Sequence, residues 1–487
     1  MPAVQTLQAD VVIIGAGTAG MSAYRAALAH TPRVLLIERG VYGTTCARVG
    51  CMPSKLLIAA AEAAHAATLA ASAAGRFGVH AGPVRIDGPA VMARVRSERD
   101  RFVGFVLETV QAWPQAHRLH GAARFVDAHT LQIDGGPQIT AQRVVIATGS
   151  SPVIPPDWRA RLGGKLIVND DVFYWADLPQ SVAVIGAGVI GLELAQALHR
   201  LGVRVRLYGR SNKLGPLTDP ALQAIAQQVL AAELPMTLGA TTLDPQSDGA
   251  AVQVRSVTAD GAVQLEHFDF LLAALGRRPN LAGLGLENTG LPLDPQGQPV
   301  YDRRTGQVGN SAVFIAGDVA NDRPLLHEAA DEGRIAGANA GRFPDVRVLP
   351  RRAPLAVVFC DPQIMLAGAS HAELLAAGSA FATGTVSFED QGRSRVMGIN
   401  RGALNVYAEH GSGRFLGAEM VGPAAEHLGH LLAWSVQRGD TVQQMLDSPF
   451  YHPVIEEGLR TALRGLLRAL HMGPVPVARS MDCGPGG

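Results

Sequence analysis

The sequence predicts an α/β protein made of two copies of one strand–turn–helix–strand unit, followed by a C-terminal α+β region. Three observations lead there. A Gly-x-Gly-x-x-Gly turn occurs twice, at Gly15–Gly20 and Gly186–Gly191. Each turn follows a short apolar strand and opens a helix, and beyond Pro350 short strands run ahead of helices.

The chain has 487 residues, enough for about three domains with substantial cores. Its 42 basic side chains balance 42 acidic ones, with no dense basic run, so neither a nucleic-acid surface nor a polybasic membrane anchor is expected. Four cysteines are too few for a secreted disulfide scaffold. The N-terminus shows no signal-peptide pattern, and no apolar run reaches the length of a membrane span. A cytoplasmic globular protein is the expectation, and no metal-ligand set is assigned.

Taken in order, Asp10–Ile14 reads as the first strand, the helix after Gly20 runs to about His30, and Arg33–Ile37 is a second strand ending at Glu38. Gly15 makes the tight turn, Gly17 lets the backbone approach a pyrophosphate, and Gly20 permits close helix–strand packing. Glu38 lies 18 residues after Gly20, where a carboxylate can accept the ribose hydroxyls of an adenosine. This is a Rossmann-like dinucleotide unit.

Helices are expected at Ser54–Ala74 and Ala90–Trp113, with a loop between them, and a small β meander at Gly121–Val145 leads into Ala147-Thr148-Gly149. In the second unit, strand Val182–Ile185, turn Gly186-x-Gly188-x-x-Gly191, helix Leu192–Leu201 and strand Val203–Tyr208 repeat the first. Here the position 18 residues past Gly191 is Gly209, followed by Arg210. A missing acid beside an arginine can accommodate a 2′-phosphate, which leans the reading toward NADP(H) over NAD(H).

Residues 265–275 read as one strand ending in a turn at Gly276–Asn280, and Val313–Ile315 as a buried strand leading to Gly317-Asp318. Asp318 can hold a cofactor hydroxyl or cap the helix expected near Leu326–Ala340. Beyond Pro350, strands are expected at Ala356–Phe359, Ala382–Ser387, Ala403–Tyr407 and Phe415–Val421, then helices near Glu426–Arg438 and after Thr441. His452, followed by Pro453, has Glu457 close behind, which suggests an imidazole and its carboxylate orienter. The Gly/Pro-rich tail from about Gly473, with Cys483, is expected to be mobile.

Cys46 and Cys51 stand in Thr44-Thr45-Cys46-Ala47-Arg48-Val49-Gly50-Cys51-Met52-Pro53-Ser54-Lys55. On a regular helix, five steps of about 100° set their side chains roughly 140° apart, so a bond between them needs a broken turn. Gly43 and Gly50 permit one, and Pro53 suits the first turn of the next helix. A redox-active pair and two small buried apolar side chains both fit the spacing.

Together these motifs resemble the flavin-dependent pyridine nucleotide–disulfide oxidoreductases, over about residues 8–472, and most of all the dihydrolipoamide dehydrogenase type. The segment Leu326-His327-Glu328-Ala329-Ala330-Asp331-Glu332-Gly333 is similar to that type. The resemblance implies residues 1–150 and 277–350 as two parts of an FAD-binding domain and 151–276 as an NAD(P)-binding domain. It implies 351–472 as a dimerisation domain, followed by the tail 473–487. Gly15, Gly17, Gly20 and Glu38 would bind the ADP half of FAD and Asp318 its ribityl chain. Thr45, Gly121, Thr148, Gly149, Gly276, Gly317, Leu326 and His327 would be further cofactor contacts. Gly186, Gly188, Gly191 and Arg210 would hold NAD or NADP. Cys51 would be the thiol against the flavin and Cys46 the one meeting substrate, with Lys55 and Glu193 paired beside flavin N5. His452, polarised by Glu457 and supplied by the other subunit, would deprotonate a small dithiol or a lipoyl-domain substrate, making the enzyme a homodimer with shared sites.

The family's usual Cys-Leu-Asn-Val-Gly-Cys reads Cys46-Ala47-Arg48-Val49-Gly50-Cys51 here, so Arg48 could lower a thiol pKa or recognise an acidic substrate. No N-terminal lipoyl domain is read. Alternatives are a glutathione-reductase-like NADPH disulfide reductase, a mercuric reductase (whose usual C-terminal cysteine pair is here Cys483 alone) and a flavin-bound redox sensor without turnover.

Overall fold

A computed structural model describes residues 6–472; the tail expectation and Cys483 lie outside the described residues. The chain forms two compact units. One comprises the residues up to Leu56, Ala93–Val153 and Gly276–Arg351; the other comprises Leu57–Met92, Ile154–Leu275 and the residues from Arg352.

The first unit is centred on a parallel layer. Strand Thr6–Ile14 pairs with Val34–Glu38 on one side and Gln138–Ile146 on the other. Arg118–His120 extends the first edge, and Val313–Ile315 pairs with the C-terminal half of Gln138–Ile146. Val11–Ile14 and Val34–Ile37 are buried without alternation, as expected of strands covered on both faces. Helix Thr18–Leu28 packs on this layer against helix Leu326–Arg342. Their approach depends on small residues: a Cβ at Gly333 would lie 2.1 Å from Ala19 O, and one at Gly337 2.2 Å from Ala23 O. The expected meander exists at Ala123–Phe125 and Thr130–Ile133, but its last strand, Gln138–Ile146, is also a core strand of the parallel layer.

In the second unit a five-stranded parallel sheet runs in the order Met236–Thr237, Arg204–Tyr208, Ser181–Ile185, Phe270–Ala273, Leu166–Ile167. A separate antiparallel sheet holds Thr242–Ser247, Val252–Val257 and Val263–Phe268. The single strand expected at 265–275 is therefore two strands in different sheets. Asp269 makes the break: its carboxylate accepts the Ser181 N–H at 2.9 Å while its own N–H donates to Ser181 Oγ at 3.0 Å. The stretch Gly276–Asn280 is likewise not a simple turn. Arg277–Pro279 pairs antiparallel with Ser150–Pro152, in the first unit.

The C-terminal sheet has the order Leu355–Val358, Gln363–Gly368, Phe415–Gly422, Ala403–Glu409, Phe381–Ser387, all antiparallel. Phe381–Ser387 alternates between buried and exposed positions, as a half-covered edge strand should. Helices Ala425–Arg438 and Glu457–Leu470 supply core residues against this sheet, the latter through Leu459, Leu463, Leu466 and Leu470. Truncating one of these, Leu463→Ala, removes a fully buried side chain of the kind that costs about 2–5 kcal/mol.

Candidate active site

The cysteine segment breaks where its spacing requires. Thr45–Val49 is a short helix, Gly50 leaves it at φ −134°, ψ −119°, and Cys51 opens the 21-residue helix Cys51–Ala71. Pro53 lies in the first turn of that helix. Ahead of the segment, Gly43 has φ +121° and the β-branched Thr44 φ +57°, so backbone strain is concentrated at this turn. The Thr44 hydroxyl accepts the Ala47 N–H at 3.2 Å and caps the short helix.

The Cys46 and Cys51 side chains meet, Cys46 being hydrogen bonded to Cys51. That bond, with burial, pushes the Cys46 thiol up, while the backbone N–H groups of Cys51 and Met52 pull the other way. Those two amides belong to the first turn of helix Cys51–Ala71, so the Cys46 sulfur lies at a helix N-terminus. The Arg48 guanidinium turns back to the Val41 carbonyl at 3.4 Å. Thr45 is exposed; Lys55 is half-buried, its Nζ 3.4 Å from Ser54 Oγ.

The first glycine turn has the shape a pyrophosphate needs. A Cβ on Gly15 would lie 2.3 Å from Ala147 O, and one on Gly20 1.7 Å from Gly15 O, so both positions are closed. At Gly17 a Cβ would meet nothing within 4 Å, and no side chain caps the helix that begins there. Open space in front of uncapped N–H groups suits an anion. Glu38 accepts the Ala16 N–H on one oxygen and the Gly40 N–H on the other, both at 2.8 Å, leaving further lone pairs for ribose hydroxyls. Gly121 (φ +144°) donates its N–H to Glu38 O at 2.9 Å.

Asp318 does not cap helix Leu326–Arg342, whose N-cap is Leu325 with no side-chain bond; this removes the capping role considered for it. Its carboxylate instead accepts Ser150 Oγ–H at 2.7 Å, and Arg277 Nε donates to that same hydroxyl at 2.8 Å. Thr148 and Asn280 are linked by two bonds, at 2.8 and 2.9 Å, beside Gly149 (φ +68°). Leu326 is exposed, whereas His327 Nε2 is buried with no hydrogen-bond partner among the described residues. A buried polar atom without a partner near the start of helix Leu326–Arg342, and the open cradle at Gly17, fit a bound dinucleotide. Ser150, Arg277, Glu332 and Arg351 belong to this neighbourhood and were not identified from sequence; their partners lie 15 to 168 residues away, beyond any local pattern.

The second turn repeats this geometry. A Cβ on Gly186 would lie 2.1 Å from Ala274 O and one on Gly191 1.8 Å from Gly186 O, while Gly188 faces open space. Gly209 follows strand Arg204–Tyr208, and Arg210 is exposed. Gly276 has φ +94°, and its carbonyl accepts the Val153 N–H within the first unit. Glu193 is 4 % exposed, and its Oε1 accepts the Phe359 N–H at 2.9 Å.

His452 and Glu457 are brought together, in the second unit. The imidazole Nδ1 lies 3.0 and 3.1 Å from the two carboxylate oxygens, and since these can only accept, Nδ1 carries the proton. Glu457 opens helix Glu457–Leu470 and also accepts the Val454 N–H and the Arg460 guanidinium. Its side chain is 5 % exposed and that of His452 58 %, so a fixed carboxylate holds an accessible imidazole.

The family description "Pyridine nucleotide-disulphide oxidoreductase" matches residues 9–333, and its dimerisation domain matches residues 355–463. A mercuric reductase of Shigella flexneri is 33 % identical over 93 % of this chain and 80 % of its own length. A dihydrolipoyl dehydrogenase of Pseudomonas aeruginosa is 30 % identical over 96 % of this chain and all of its own. Among solved structures, LpdA from Mycobacterium tuberculosis shares the fold, with a TM-score of 0.78 at 24 % identity over 94 % of this chain and 99 % of LpdA. The chain belongs to the pyridine nucleotide–disulfide oxidoreductases, flavoproteins whose members bind FAD and NAD(P). The matched dimerisation domain supports a homodimer.

Proposed function

We propose that this member of the family is a homodimeric dithiol–disulfide oxidoreductase of the dihydrolipoamide dehydrogenase type. The observation that carries the reading is the His452–Glu457 pair, an exposed imidazole whose tautomer is fixed by a buried carboxylate. A dithiol substrate arrives protonated at neutral pH and needs such a base.

In the oxidised enzyme Cys46 and Cys51 share a disulfide. His452 of the partner subunit takes a proton from one substrate thiol on Nε2, and Glu457 stabilises the imidazolium. The resulting thiolate attacks the Cys46 sulfur, the Cys46–Cys51 bond breaks, and Cys51 leaves as a thiolate. The second substrate thiol then displaces Cys46, which leaves as a thiol carrying that group's proton, so the substrate departs as a disulfide and the cysteine pair holds its two electrons. Bound FAD would supply the two-electron redox chemistry that links the cysteine pair to the pyridine nucleotide. Gly15, Gly17, Gly20, Glu38 and Asp318 would hold FAD, with Thr45, Gly121, Thr148, Gly149, Gly276, Gly317, Leu326 and His327 as further contacts. Gly186, Gly188, Gly191 and Arg210 would hold the pyridine nucleotide, and Lys55 with Glu193 would balance charge at the flavin. Exposed Arg210 beside Gly209 favours NADP(H).

The identity to a mercuric reductase favours a second reading, Hg(II) reduction. A mercuric ion brings no thiol proton, so the His452–Glu457 base has no task in that chemistry. Purified holoenzyme should oxidise dihydrolipoamide with NADP⁺ or NAD⁺, and His452→Gln should lower that turnover by about 10²-fold or more. Cys46→Ser and Cys51→Ser should abolish it. Native-like turnover in His452→Gln, or Hg(II)-dependent NADPH oxidation with no dithiol activity, would displace the proposal.

A further inference from the structure

Glu332 is a buried carboxylate that this chemistry does not use. It lies in helix Leu326–Arg342, is 8 % exposed, and its Oε2 accepts the buried Gly317 N–H at 2.8 Å. Its Oε1 accepts the Arg351 guanidinium at 2.9 Å, and Arg351 also binds Glu328 at 2.7 Å and Asp322 at 3.0 Å. Gly317 has φ +80° and is pressed against the first turn of the glycine-motif helix: a Cβ there would lie 2.7 Å from Ala19 Cβ. Gly333, the residue after Glu332, meets the carbonyl of the same Ala19. One carboxylate therefore ties the turn that ends in Asp318 to the helix that ends in Arg342, at the point where both rest on Ala19.

We infer that Glu332 is a positioning residue for FAD, holding the Gly317 N–H so that the next residue, Asp318, presents its carboxylate to the ribityl chain. The inference rests on the reading of Asp318 as a ribityl contact. Only the ionised form serves both donors, because a protonated Glu332 would have to aim its own O–H at Gly317 N–H or at Arg351. The groups facing it are Arg351, Asp322, Glu328 and the Tyr301 phenol, with Arg303 against Asp322 and Arg323 against Glu328. Burial pushes Glu332 up to about 7, against the pull of the Gly317 N–H and Arg351. Its positioning role is thus full well above pH 7, half lost near 7 and fades below it.

The test uses the full chain stripped of flavin and titrated with FAD by flavin fluorescence, with thermal unfolding of each apo form as a folding check. Glu332→Met, which leaves Gly317 N–H without its acceptor, should weaken FAD binding by about tenfold or more. Glu332→Gln, a neutral stand-in for the protonated acid with only one acceptor for the two donors, should bind FAD at pH 8 about as weakly as the native protein does at pH 6. Native affinity should fall as pH drops from 8 to 6, and Glu332→Gln should lose most of that dependence. Asp318→Asn serves as the control on the premise. Native-like binding by Glu332→Met while Asp318→Asn binds weakly would overturn the role of Glu332. Native-like binding by Asp318→Asn would overturn the inference through its premise instead. Should Glu332→Met fail to fold, a Glu332→Gln pH profile identical to native would overturn it.

Discussion

The two glycine turns share one backbone and differ at the end of the following strand. Gly17 and Gly188 open their helices at φ −74°, ψ −173° and φ −80°, ψ −170°, both without a side-chain cap. In each turn the first and third glycines leave no room for a Cβ and the middle one faces open space. After the second strand they part. The first unit places Glu38, which reaches back to the Ala16 N–H inside its own turn. At the equivalent place the second has Gly209, where a Cβ would come within 3.0 Å of Leu238 Cδ2 and 3.2 Å of Ser211 O. The backbone geometry of the turn is the same in both; on the proposed reading it would cradle phosphates in each, and the residue at the strand end would choose the nucleotide. A side chain at position 209 would need Leu238 and the Ser211 carbonyl to give by a few tenths of an ångström, a far milder crowding than at the closed glycines of the turns.

The largest effects should come from filling the closed positions. Gly20→Ala sets a Cβ 1.7 Å from the Gly15 carbonyl and Gly191→Ala one 1.8 Å from the Gly186 carbonyl, both backbone atoms that cannot rotate away. Each should destabilise its unit by about 3 kcal/mol. The two should nevertheless separate: Gly20→Ala loses FAD, whereas Gly191→Ala retains FAD and loses NADPH binding. Flavin content and NADPH titration of the two purified variants check this, and equal losses of both cofactors in both variants would contradict the division of labour.

Filling the open positions should be gentler on the fold and selective for ligand. Gly17→Ala and Gly188→Ala introduce a methyl group that touches no protein atom within 4 Å. Apo stability should change by no more than about 0.5 kcal/mol, as for surface substitutions away from special features. FAD affinity in Gly17→Ala and NADPH affinity in Gly188→Ala should drop, because the methyl group occupies the space in front of the uncapped N–H groups. Unchanged affinity would mean that the phosphates do not approach there. This contrast between closed and open glycines was legible in the sequence, because the spacing of the motif assigns each glycine its task.

Other parts were legible to different degrees, for physical reasons. The cores of the parallel strands stood out because they are apolar on both faces. The strand pair Thr242–Ser247 and Val252–Val257 did not, since Pro245, Asp244 and Gln246 break any run of strand formers. Gln363–Gly368, next to the centre of the C-terminal sheet, follows Pro362 directly, and helix Glu457–Leu470 starts without a side-chain cap, so neither announces itself locally. The cysteine turn was readable because Gly43, Gly50 and Pro53 are local. The Ser150–Asp318 bond and the Gly317–Glu332 tie join residues brought together only by the fold, so the sequence held their chemistry without their pairing.

The smallest effect should fall on the residue that separates the two turns. Arg210 is exposed, so its replacement costs the fold nothing measurable, and any consequence belongs to the nucleotide. A guanidinium that meets a 2′-phosphate makes a charge-assisted contact that NADH, lacking the phosphate, cannot make. Arg210→Ala should therefore raise KM for NADPH about tenfold, equivalent to about 1.4 kcal/mol, and leave KM for NADH unchanged. The NADPH effect should also shrink as salt is raised, since an exposed ion pair is screened over a Debye length of about 10 Å at 0.1 M. If Arg210→Ala shifts both nucleotides equally, or neither, then Arg210 is an ordinary solvated residue and Gly209 alone distinguishes the second turn from the first.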